Sequence, residues 1–241
     1  MSFILELETD LPQNALRDHL RKYEPWGHRI DFSNGVSTAE LAKRTPFSEN
    51  PLQKLLTVAK VIPFQTLRGG ALLDVGCNSG YNSIHAAAHL GMNVVGLDVS
   101  KRHMEVCNFL ADLAGVKAEF LLGNAETFSR PAAFDVVLHF GTLYHLPNPL
   151  LALKTTFDNL KPGGWLALET QTYDHPDDPN LCYFIHGHNN DKTNFWAISE
   201  QALTRYMTFI GFTGIDVLLK VSPPILGEHM NRAIVVARKP E

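Results

Sequence analysis

ALLDVGCNSGYNSIHAAAHLGMNVVGLDVS, residues 71–100, is the stretch that decides the fold of this chain. An apolar run at 71–75 leads into a glycine-containing turn, then an alanine-rich helical run, and then a second apolar run that ends in Asp98. The order of strand, tight turn, helix and strand predicts one βαβ unit of a nucleotide-type site. Glycines let the turn pass close to a ligand, and an acid at the tip of the second strand can accept both hydroxyls of a ribose.

The alternation of strands and helices continues beyond this stretch. The pattern predicts strands at 71–75, 93–97, 118–122, 134–139 and 165–171, helices at 81–90, 101–114 and 149–160, and a turn at 161–164. Two closing strands, at 214–220 and 232–238, predict an antiparallel pair at one sheet edge. We therefore expect an α/β fold: a doubly wound, Rossmann-like, seven-stranded and mostly parallel sheet with an antiparallel edge strand, plus N-terminal and inserted cap segments.

Two regions outside the alternation predict caps on this core. Residues 1–62 contain helical patterns at 11–23 and 51–62, and a strand-and-turn pattern at 26–38 that indicates a hairpin. Residues 172–198 are a polar stretch too long for an ordinary connection, so we interpret them as a functional loop. The predicted domains are an N-terminal helical and hairpin cap at 1–62 and a binding domain at 63–241 that carries the cap insertion at 172–198.

Composition limits the possible classes of protein. A chain of 241 residues can form one full α/β domain with a sizeable core. No apolar run reaches membrane-spanning length and residues 1–10 do not resemble a secretory signal, so we expect a cytoplasmic protein without a membrane partner. The three cysteines predict free thiols. A formal charge of −4 and a pI near 6.2 give no general attraction to nucleic acid.

Five motifs follow one another in the predicted strand order. They are Asp74–Gly80, Gly96–Asp98, Gly123–Glu126, Phe134–Val137 and Leu160–Gly164. This set resembles the class I S-adenosylmethionine-dependent methyltransferases over roughly residues 67–171. The resemblance implies the fold described above, S-adenosylmethionine as cofactor, and transfer of its methyl group.

Three further segments narrow the resemblance. The turn at 76–80 has Asn78 at a position where glycine is commonest, GTLYHL stands at 141–146, and TNFW at 193–196 precedes a helix that Gly211 ends. Together with residues 26–38, these segments are similar to the branch that contains the tRNA wobble-uridine carboxymethyltransferase. That enzyme has a longer, basic N-terminal region, whereas this chain has a short, non-basic one.

The resemblance implies which residues contact the cofactor. Asp74 and the turn would face the methionine portion, Asp98 would bind the ribose, residues 124–126 would flank the adenine, and Phe140 would stack on the sulfonium. The full set is Asp74, Gly76, Cys77, Asn78, Gly80, Asp98, Val99, Asn124, Ala125, Glu126, Phe140 and Trp26. Four of them have a plainer alternative: Asp74 can simply fix the turn, Asp98 can cap a helix, and Phe140 and Trp26 can serve only for packing.

Catalytic and acceptor residues are expected after the fourth core strand and in the caps. His145 is the candidate general base and Tyr144 the candidate contact with the acceptor, and both are predicted to be catalytic. The predicted acceptor residues are Tyr144, His28, His186, His188, Trp196 and Arg232. For His28 and Arg232, surface packing is an equally good account. His175, His186 and His188 match no ordered set of metal ligands, so no metal is predicted.

These observations predict an S-adenosylmethionine-dependent methyltransferase that transfers a methyl group to an oxygen or nitrogen of a small organic acceptor. One alternative is a methyl or carboxymethyl transferase acting on the wobble uridine of tRNA, which keeps a nucleic-acid partner open. A second alternative is a non-catalytic S-adenosylmethionine-binding regulatory protein. The sequence leaves open the acceptor, the use of a base, a carboxylated cofactor and the oligomeric state.

Overall fold

The structure, a computed structural model, describes residues 4–42, 48, 50–223 and 227–241. The other residues of the two predicted domains lie outside this description. The described strands are β1 (Leu5–Leu7), β2 (Ile30–Phe32), β3 (Ala71–Val75), β4 (Asn93–Asp98), β5 (Ala118–Leu122), β6 (Phe134–Phe140), β7 (Leu160–Tyr173), β8 (Cys182–Phe184), β9 (Trp196–Ile198), β10 (Thr213–Val221) and β11 (Met230–Arg238). The described α-helices are α1 (Gln13–Arg21), α2 (Gln53–Val58), α3 (Tyr81–His85), α4 (Lys101–Leu113), α5 (Pro149–Asn159) and α6 (Glu200–Ile210).

Seven of these strands form the central sheet, in the order β10-β11-β7-β6-β3-β4-β5. The pairs β3–β6, β6–β7 and β4–β5 are parallel, while β11 is antiparallel to both β7 and β10. The predicted seven-stranded, mostly parallel sheet with an antiparallel pair at one edge is confirmed. Among the described residues, no helix has both the length and the apolar character needed to cross a bilayer.

The chain divides into two compact units, which are described separately. The first comprises residues 1–69 and 77–122, and the second comprises residues 70–76 and 123–241, in each case as far as the structure describes them. The predicted domain boundaries at 62 and at 172–198 stay predictions.

In the first unit, the segment at 26–38 is not a regular hairpin. The strand β2 pairs in parallel with β1, and only one antiparallel bridge, Asp31 with Ser37, closes the turn behind it. The reason is that the Ile30 N–H donates to Thr38 Oγ1, so a side chain takes the place of a ladder partner. The short strand β1, with Leu5 and Leu7 buried, was not predicted.

The helices of the first unit follow their apolar spacing. In α1 the buried residues are Leu16 and Leu20, and α4 begins at Ser100, whose hydroxyl accepts the His103 N–H as expected for an N-cap. The predicted helix at 81–90 is present, but its second half, Ala86–Leu90, is one π-helical turn. The helix α2 covers only the middle of the predicted 51–62.

In the second unit, two predictions are wrong. Residues 161–164 were expected to be a turn, but β7 already begins at Leu160, which pairs with Phe134, and a register shift next to that pair absorbs the two glycines. The stretch 172–198 was expected to be a loop, but it contains the antiparallel pair β8–β9. By contrast, the predicted helix that Gly211 ends is present as α6: the Ser199 hydroxyl caps its start by accepting the Ala202 N–H, and Gly211 at its end has a φ of 116°.

Candidate active site

The predicted site residues are divided between the two units, and each group is described within its own unit. In the first unit, Asp98 at the end of β4 accepts three hydrogen bonds. Its Oδ1 accepts from the Ser100 N–H at 2.9 Å and from His103 Nδ1 at 3.0 Å, and its Oδ2 accepts from the Asn78 N–H at 3.0 Å. Burial would raise the pKa of this carboxyl, but these donors hold it below its usual range. Asp98 is therefore ionised at neutral pH.

The surroundings of Asp98 fit the ribose of an adenosyl group, although less completely than the sequence predicts. An ionised carboxylate offers about four acceptor positions, and three are taken by the chain itself. One position on Oδ2 therefore remains for a ribose hydroxyl, and a second hydroxyl would have to displace an existing donor. The adjacent Val99 side chain is 74% exposed, which leaves an apolar surface beside the carboxylate.

The turn before α3 is shaped by its own backbone. Asn78 and Gly80 both have positive φ, at 52° and 77°, and a Cβ at Gly80 would lie 2.9 Å from Cys107 Sγ. The Cys107 thiol also donates to the Asn78 carbonyl at 3.1 Å. Cys77 is buried, so its side chain belongs to the interior.

Cap residues of the first unit lie in two different environments. The His28 ring centre lies 4.3 Å from that of Tyr81, and burial, followed by the charges of Lys54 and His103, lowers the pKa of His28 to about 4. His28 is therefore neutral at physiological pH. Trp26 is buried, and its indole N–H donates to the Leu20 carbonyl at 3.0 Å, which is a packing environment. The cofactor role of Trp26 stays a prediction.

In the second unit, Asp74 lies near the end of β3 and Gly76 directly follows the strand. Asp74 is buried, and Gly76 has a φ of 70°. The Thr142 hydroxyl donates to the Val75 carbonyl at 3.1 Å and stands where a Cβ of residue 76 would lie. Glycine is thus required at position 76 both by conformation and by space.

Residues 124–126 have clear structural functions in the second unit. Asn124 Oδ1 accepts the Glu126 N–H at 2.8 Å, which closes a side-chain turn. The Glu126 carboxylate accepts the Asn148 N–H at 2.7 Å, and its carbonyl accepts the Thr155 hydroxyl. These bonds fix the start of α5, and the adenine contacts implied for residues 124–126 stay a prediction.

Arg232 on β11 forms a buried ion pair with Glu169 on β7. Arg232 Nη2 donates to Glu169 Oε2 at 2.9 Å, and Nε donates to Oε1. The Glu169 side chain is 3% exposed, and the guanidinium lies 4.8 Å from the centre of the Tyr144 ring. Burial lowers the pKa of Arg232, but Glu169 and Tyr144 outweigh it and raise the pKa. The charge of Arg232 is therefore neutralised within the chain, before any acceptor binds.

His145 is held by a chain of hydrogen bonds that the sequence analysis did not predict. Its Nδ1 lies 3.0 Å from Thr193 Oγ1 and 3.1 Å from the Thr193 carbonyl oxygen. The Thr193 hydroxyl donates to Asp191 Oδ1 at 2.6 Å, so its proton is not directed at the imidazole. Both neighbours of Nδ1 therefore act as acceptors, and Nδ1 carries the proton. The other nitrogen, Nε2, is left with its lone pair.

The charge state of His145 follows from its surroundings. Burial lowers its pKa below 6.5, the Thr193 carbonyl and the Asp191 carboxylate oppose that shift, and Arg232 adds to it. His145 is therefore neutral at pH 7. Its ring centre lies 4.2 Å from that of the buried Tyr144. The structure thus brings together His145, Tyr144 and Arg232 among the predicted residues of the second unit.

The remaining predicted residues do not form one cluster. Phe140 is buried at the end of β6, and the adjacent His139 is fully buried, which lowers its pKa to about 4. His186 is exposed and stacks on Phe195, whose ring centre is 5.7 Å away. The half-buried His188 accepts a hydrogen bond at its backbone carbonyl from the side-chain amide of Asn194.

Trp196 donates its indole N–H to the Pro147 carbonyl and lines an apolar cavity of about 800 Å³ between α5 and α6. Among the described residues, no group of three or more His, Cys, Asp and Glu could hold a metal ion.

Three residues of this region were missed from the sequence: Asp191, Thr193 and Glu169. All three carried a signal. The spacing Asp191-Lys192-Thr193 is typical of a side-chain turn, and the Thr193 N–H indeed donates to Asp191 Oδ1 at 2.9 Å. Glu169 is an acid inside an otherwise apolar strand, where an unpaired charge would be costly.

The sheet order, the glycine turn and the carboxylate at the end of β4 are those of the class I S-adenosylmethionine-dependent methyltransferase fold. Residues 49–217 match the family model described as a methyltransferase domain. Because this match covers more than half of the sequence, the chain belongs to the methyltransferase-domain family, whose cofactor is S-adenosylmethionine.

Curated relatives include two proteins named tRNA U34 carboxymethyltransferase. The protein of Desulfotalea psychrophila is 31% identical over 212 residues, which are 85% of this chain and 61% of that protein. The protein of Helicobacter pylori (strain Shi470) is 32% identical over 163 residues, 65% of this chain and 62% of that protein. This chain spans about three fifths of the length of these relatives.

Solved structures share the fold at low identity. The N-terminal domain of EvdMO1, crystallised with SAH bound, has a TM-score of 0.75 and 18% identity, covering 95% of this chain and 98% of that one. Haemonchus contortus phosphoethanolamine N-methyltransferase 2 has a TM-score of 0.65 and 17% identity, covering 78% and 52%. The [4+2]-cyclase SpnF has a TM-score of 0.61 and 20% identity, covering 82% and 84%. Because a protein named a cyclase shares it, the fold alone does not define the reaction.

Proposed function

We propose that this chain transfers the methyl group of S-adenosylmethionine to an oxygen or nitrogen of a small organic acceptor, with His145 as general base. The observation that carries the proposal is the hydrogen-bonded chain from His145 through Thr193 to Asp191. It supports a neutral imidazole with its proton on Nδ1 and a free lone pair on Nε2. A hydroxyl or amine must lose a proton when it is methylated, and such a nitrogen can accept it.

The cofactor, when bound, supplies a methyl group on a positively charged sulfur. The chain's own contribution is to take the acceptor proton at His145 Nε2 and to hold the acceptor in position. The imidazolium formed in this step is stabilised by Thr193 and by the negative charge of Asp191. Tyr144, buried beside His145, is proposed to contact the acceptor and to limit the access of water.

Binding of the cofactor is proposed to involve the cofactor residues predicted from the sequence. They are Asp74, Gly76, Cys77, Asn78, Gly80, Asp98, Val99, Asn124, Ala125, Glu126, Phe140 and Trp26. For Asp98, the ionised carboxylate with one remaining acceptor position supports a ribose contact. We expect Asp98→Ala to lose most S-adenosylmethionine affinity in calorimetry, and undiminished affinity would remove this assignment.

Charge around the inserted segment supports a small acceptor. The inserted segment 172–198 carries four carboxylates, Asp174, Asp177, Asp178 and Asp191, against a single lysine, Lys192, and no arginine. A phosphate backbone would be repelled there, because nucleic-acid affinity depends on cationic side chains. The acceptor residues proposed in the second unit, besides Tyr144, are His186, His188, Trp196 and Arg232, and His28 is proposed from the first unit.

The base assignment is tested with His145→Ala. Transfer of labelled methyl from S-adenosylmethionine to a panel of hydroxyl- and amine-bearing metabolites is measured at pH 7.5. Loss of a general base lowers turnover about 10²–10⁴-fold, while the affinity for the cofactor stays unchanged in calorimetry. His175→Ala is the matched control. A fully active His145→Ala variant contradicts the base, and no transfer by the wild type to any acceptor favours the non-catalytic alternative.

A second candidate, methyl or carboxymethyl transfer to the wobble uridine of tRNA, is favoured by the names of the curated relatives. The two candidates differ in their dependence on salt. Binding of tRNA through its phosphates weakens steeply as salt rises, because counterions are released on binding. Retention of the chain on immobilised tRNA at low salt, with loss at high salt and methyl transfer to that RNA, would replace the small-acceptor proposal.

A further inference from the structure

Two histidines of the first unit lie one above the other on a helix, outside the residues discussed so far. His85 ends α3, and His89 lies four residues later in the π-helical turn Ala86–Leu90. Their ring centres are 4.7 Å apart, with 44° between the ring planes. Single π-helical turns are rare and occur frequently at functional sites.

The spacing of these rings is that of two ligands of one metal ion. A divalent ion about 2.0–2.1 Å from a ligating nitrogen lies about 3.2 Å from the centre of that imidazole ring. Two such rings then have centres about 4.5 Å apart at a 90° ligand angle and about 5.2 Å apart at the tetrahedral angle. The observed 4.7 Å lies between these values. The ring centres are therefore already at a separation that two ligands of one ion can have.

The nitrogens of both rings are available. Within the part of the chain that the structure describes, neither His85 nor His89 forms a side-chain hydrogen bond or ion pair. A second pair, His175 and His229, has ring centres 5.2 Å apart, but one nitrogen of each ring is already engaged. His175 Nδ1 accepts the Asp177 N–H at 3.2 Å, and His229 Nε2 lies 3.5 Å from the Glu228 carboxylate.

Both histidines line a cavity of about 610 Å³ in the first unit, together with apolar side chains and the polar residues Glu6, Lys60, Gln65 and Thr66. Since no third His, Cys, Asp or Glu completes a ligand set among the described residues, the other positions of an ion must be filled from the cavity. We propose that His85 and His89 bind a divalent transition-metal ion of the Zn²⁺, Ni²⁺ or Cu²⁺ type, with water or a small oxygen- or nitrogen-donor ligand at the open positions.

The test is calorimetric titration of the full chain, without an affinity tag, with ZnCl₂ and separately with NiCl₂. The wild type is expected to bind one ion. His89→Gln, at an exposed position that should not affect folding, is expected to lower the affinity at least about tenfold. His85→Gln should have the same effect, and the double variant should bind no better than the weaker single variant.

His175→Gln is the matched control, because it removes one member of the other histidine pair. Unchanged binding in this variant, with loss in His89→Gln, supports the site. Loss of binding in His175→Gln instead, equal binding by His89→Gln and the wild type, or no stoichiometric binding by the wild type each overturns the proposal. Circular dichroism of every variant shows whether the fold is retained, and none of these readouts depends on methyl transfer.

Discussion

Replacing Glu169 by glutamine should destabilise the protein strongly, although the two side chains have nearly the same shape. Glu169 is 2% exposed and is the carboxylate partner of Arg232 in the second unit. The substitution leaves the guanidinium charge in place and removes the charge that balances it. An uncompensated charge in such a position costs much more than the loss of one hydrogen bond.

The magnitude follows from the degree of burial. Breaking a buried pair by removing one partner costs about 3–5 kcal/mol, and the 21% exposure of the Arg232 side chain places this pair at about 3 kcal/mol. For a chain of this size, each kcal/mol shifts the melting temperature by about 2–4 °C, so Glu169→Gln should lower it by about 6–12 °C. The contact of the guanidinium with the Tyr144 ring is present before and after the substitution, so it does not change the expected loss of stability.

Thermal and urea unfolding, followed by circular dichroism at pH 7.5, measure this effect. Asp158→Asn is the control, because Asp158 is paired with Lys154 at 2.5 Å but both side chains are about half exposed. Such a pair contributes about 0–1 kcal/mol. The double variant Glu169→Gln with Arg232→Met should regain part of the loss, since it removes both charges. A change for Glu169→Gln no larger than that for Asp158→Asn would refute the reasoning.

Two other predictions follow from the contacts of the second unit. The rate of methyl transfer should rise with pH through the lowered pKa of His145 and then level off. Asp191→Asn removes a charge that raises this pKa, so the rise in rate should move to lower pH. The control Asp177→Asn should leave the pH of this rise unchanged. Gly76→Ala should lower stability by more than about 1–2 kcal/mol in urea unfolding, because a left-handed φ is combined with a collision against Thr142. Gly69→Ala is the control, because Gly69 has a φ of 80° but open space around it, so its substitution should lose only the stability that the left-handed backbone conformation costs. Equal losses of stability in the two variants would show that the collision with Thr142 is absent.

The central sheet could be predicted because its strands are short apolar runs separated by glycine turns and helical spacing. The predictions that are wrong concern segments whose structure depends on distant partners and not on the local apolar pattern. The strand that begins at Leu160 continues through the glycines of 161–164, where the Gly163 N–H donates to the Lys239 carbonyl at 3.0 Å and the Gly164 carbonyl accepts the Lys239 N–H at 2.9 Å. The local sequence does not show these distant backbone partners. In the same way, β8 and β9 pair with each other across a polar stretch. Each becomes a strand because the other is present, so neither segment alone predicts a strand.

The candidate site was predictable only one residue at a time. His145 is visible as a histidine after the fourth core strand, but the threonine that orients it lies 48 positions further along the chain. The fold alone brings them together. Asp98 shows the opposite case, since its position was predicted while the three donors that occupy most of its acceptor capacity were not. Spacing in a sequence indicates which groups are present, and the contacts decide what remains free for a ligand.

The electrostatics of the second unit connect the stability of the buried ion pair with the chemistry proposed for His145. Burial and Arg232 lower the pKa of this histidine, while Thr193 and Asp191 raise it, and Glu169 neutralises Arg232. Removal of the Glu169 charge should therefore strengthen the effect of Arg232 and move the pH–rate profile of Glu169→Gln to lower pH, in the same direction as Asp191→Asn. A variant that loses stability but keeps the profile of the wild type would show that the ion pair acts only on folding. A shifted profile would make Glu169 a residue that tunes the base without touching it.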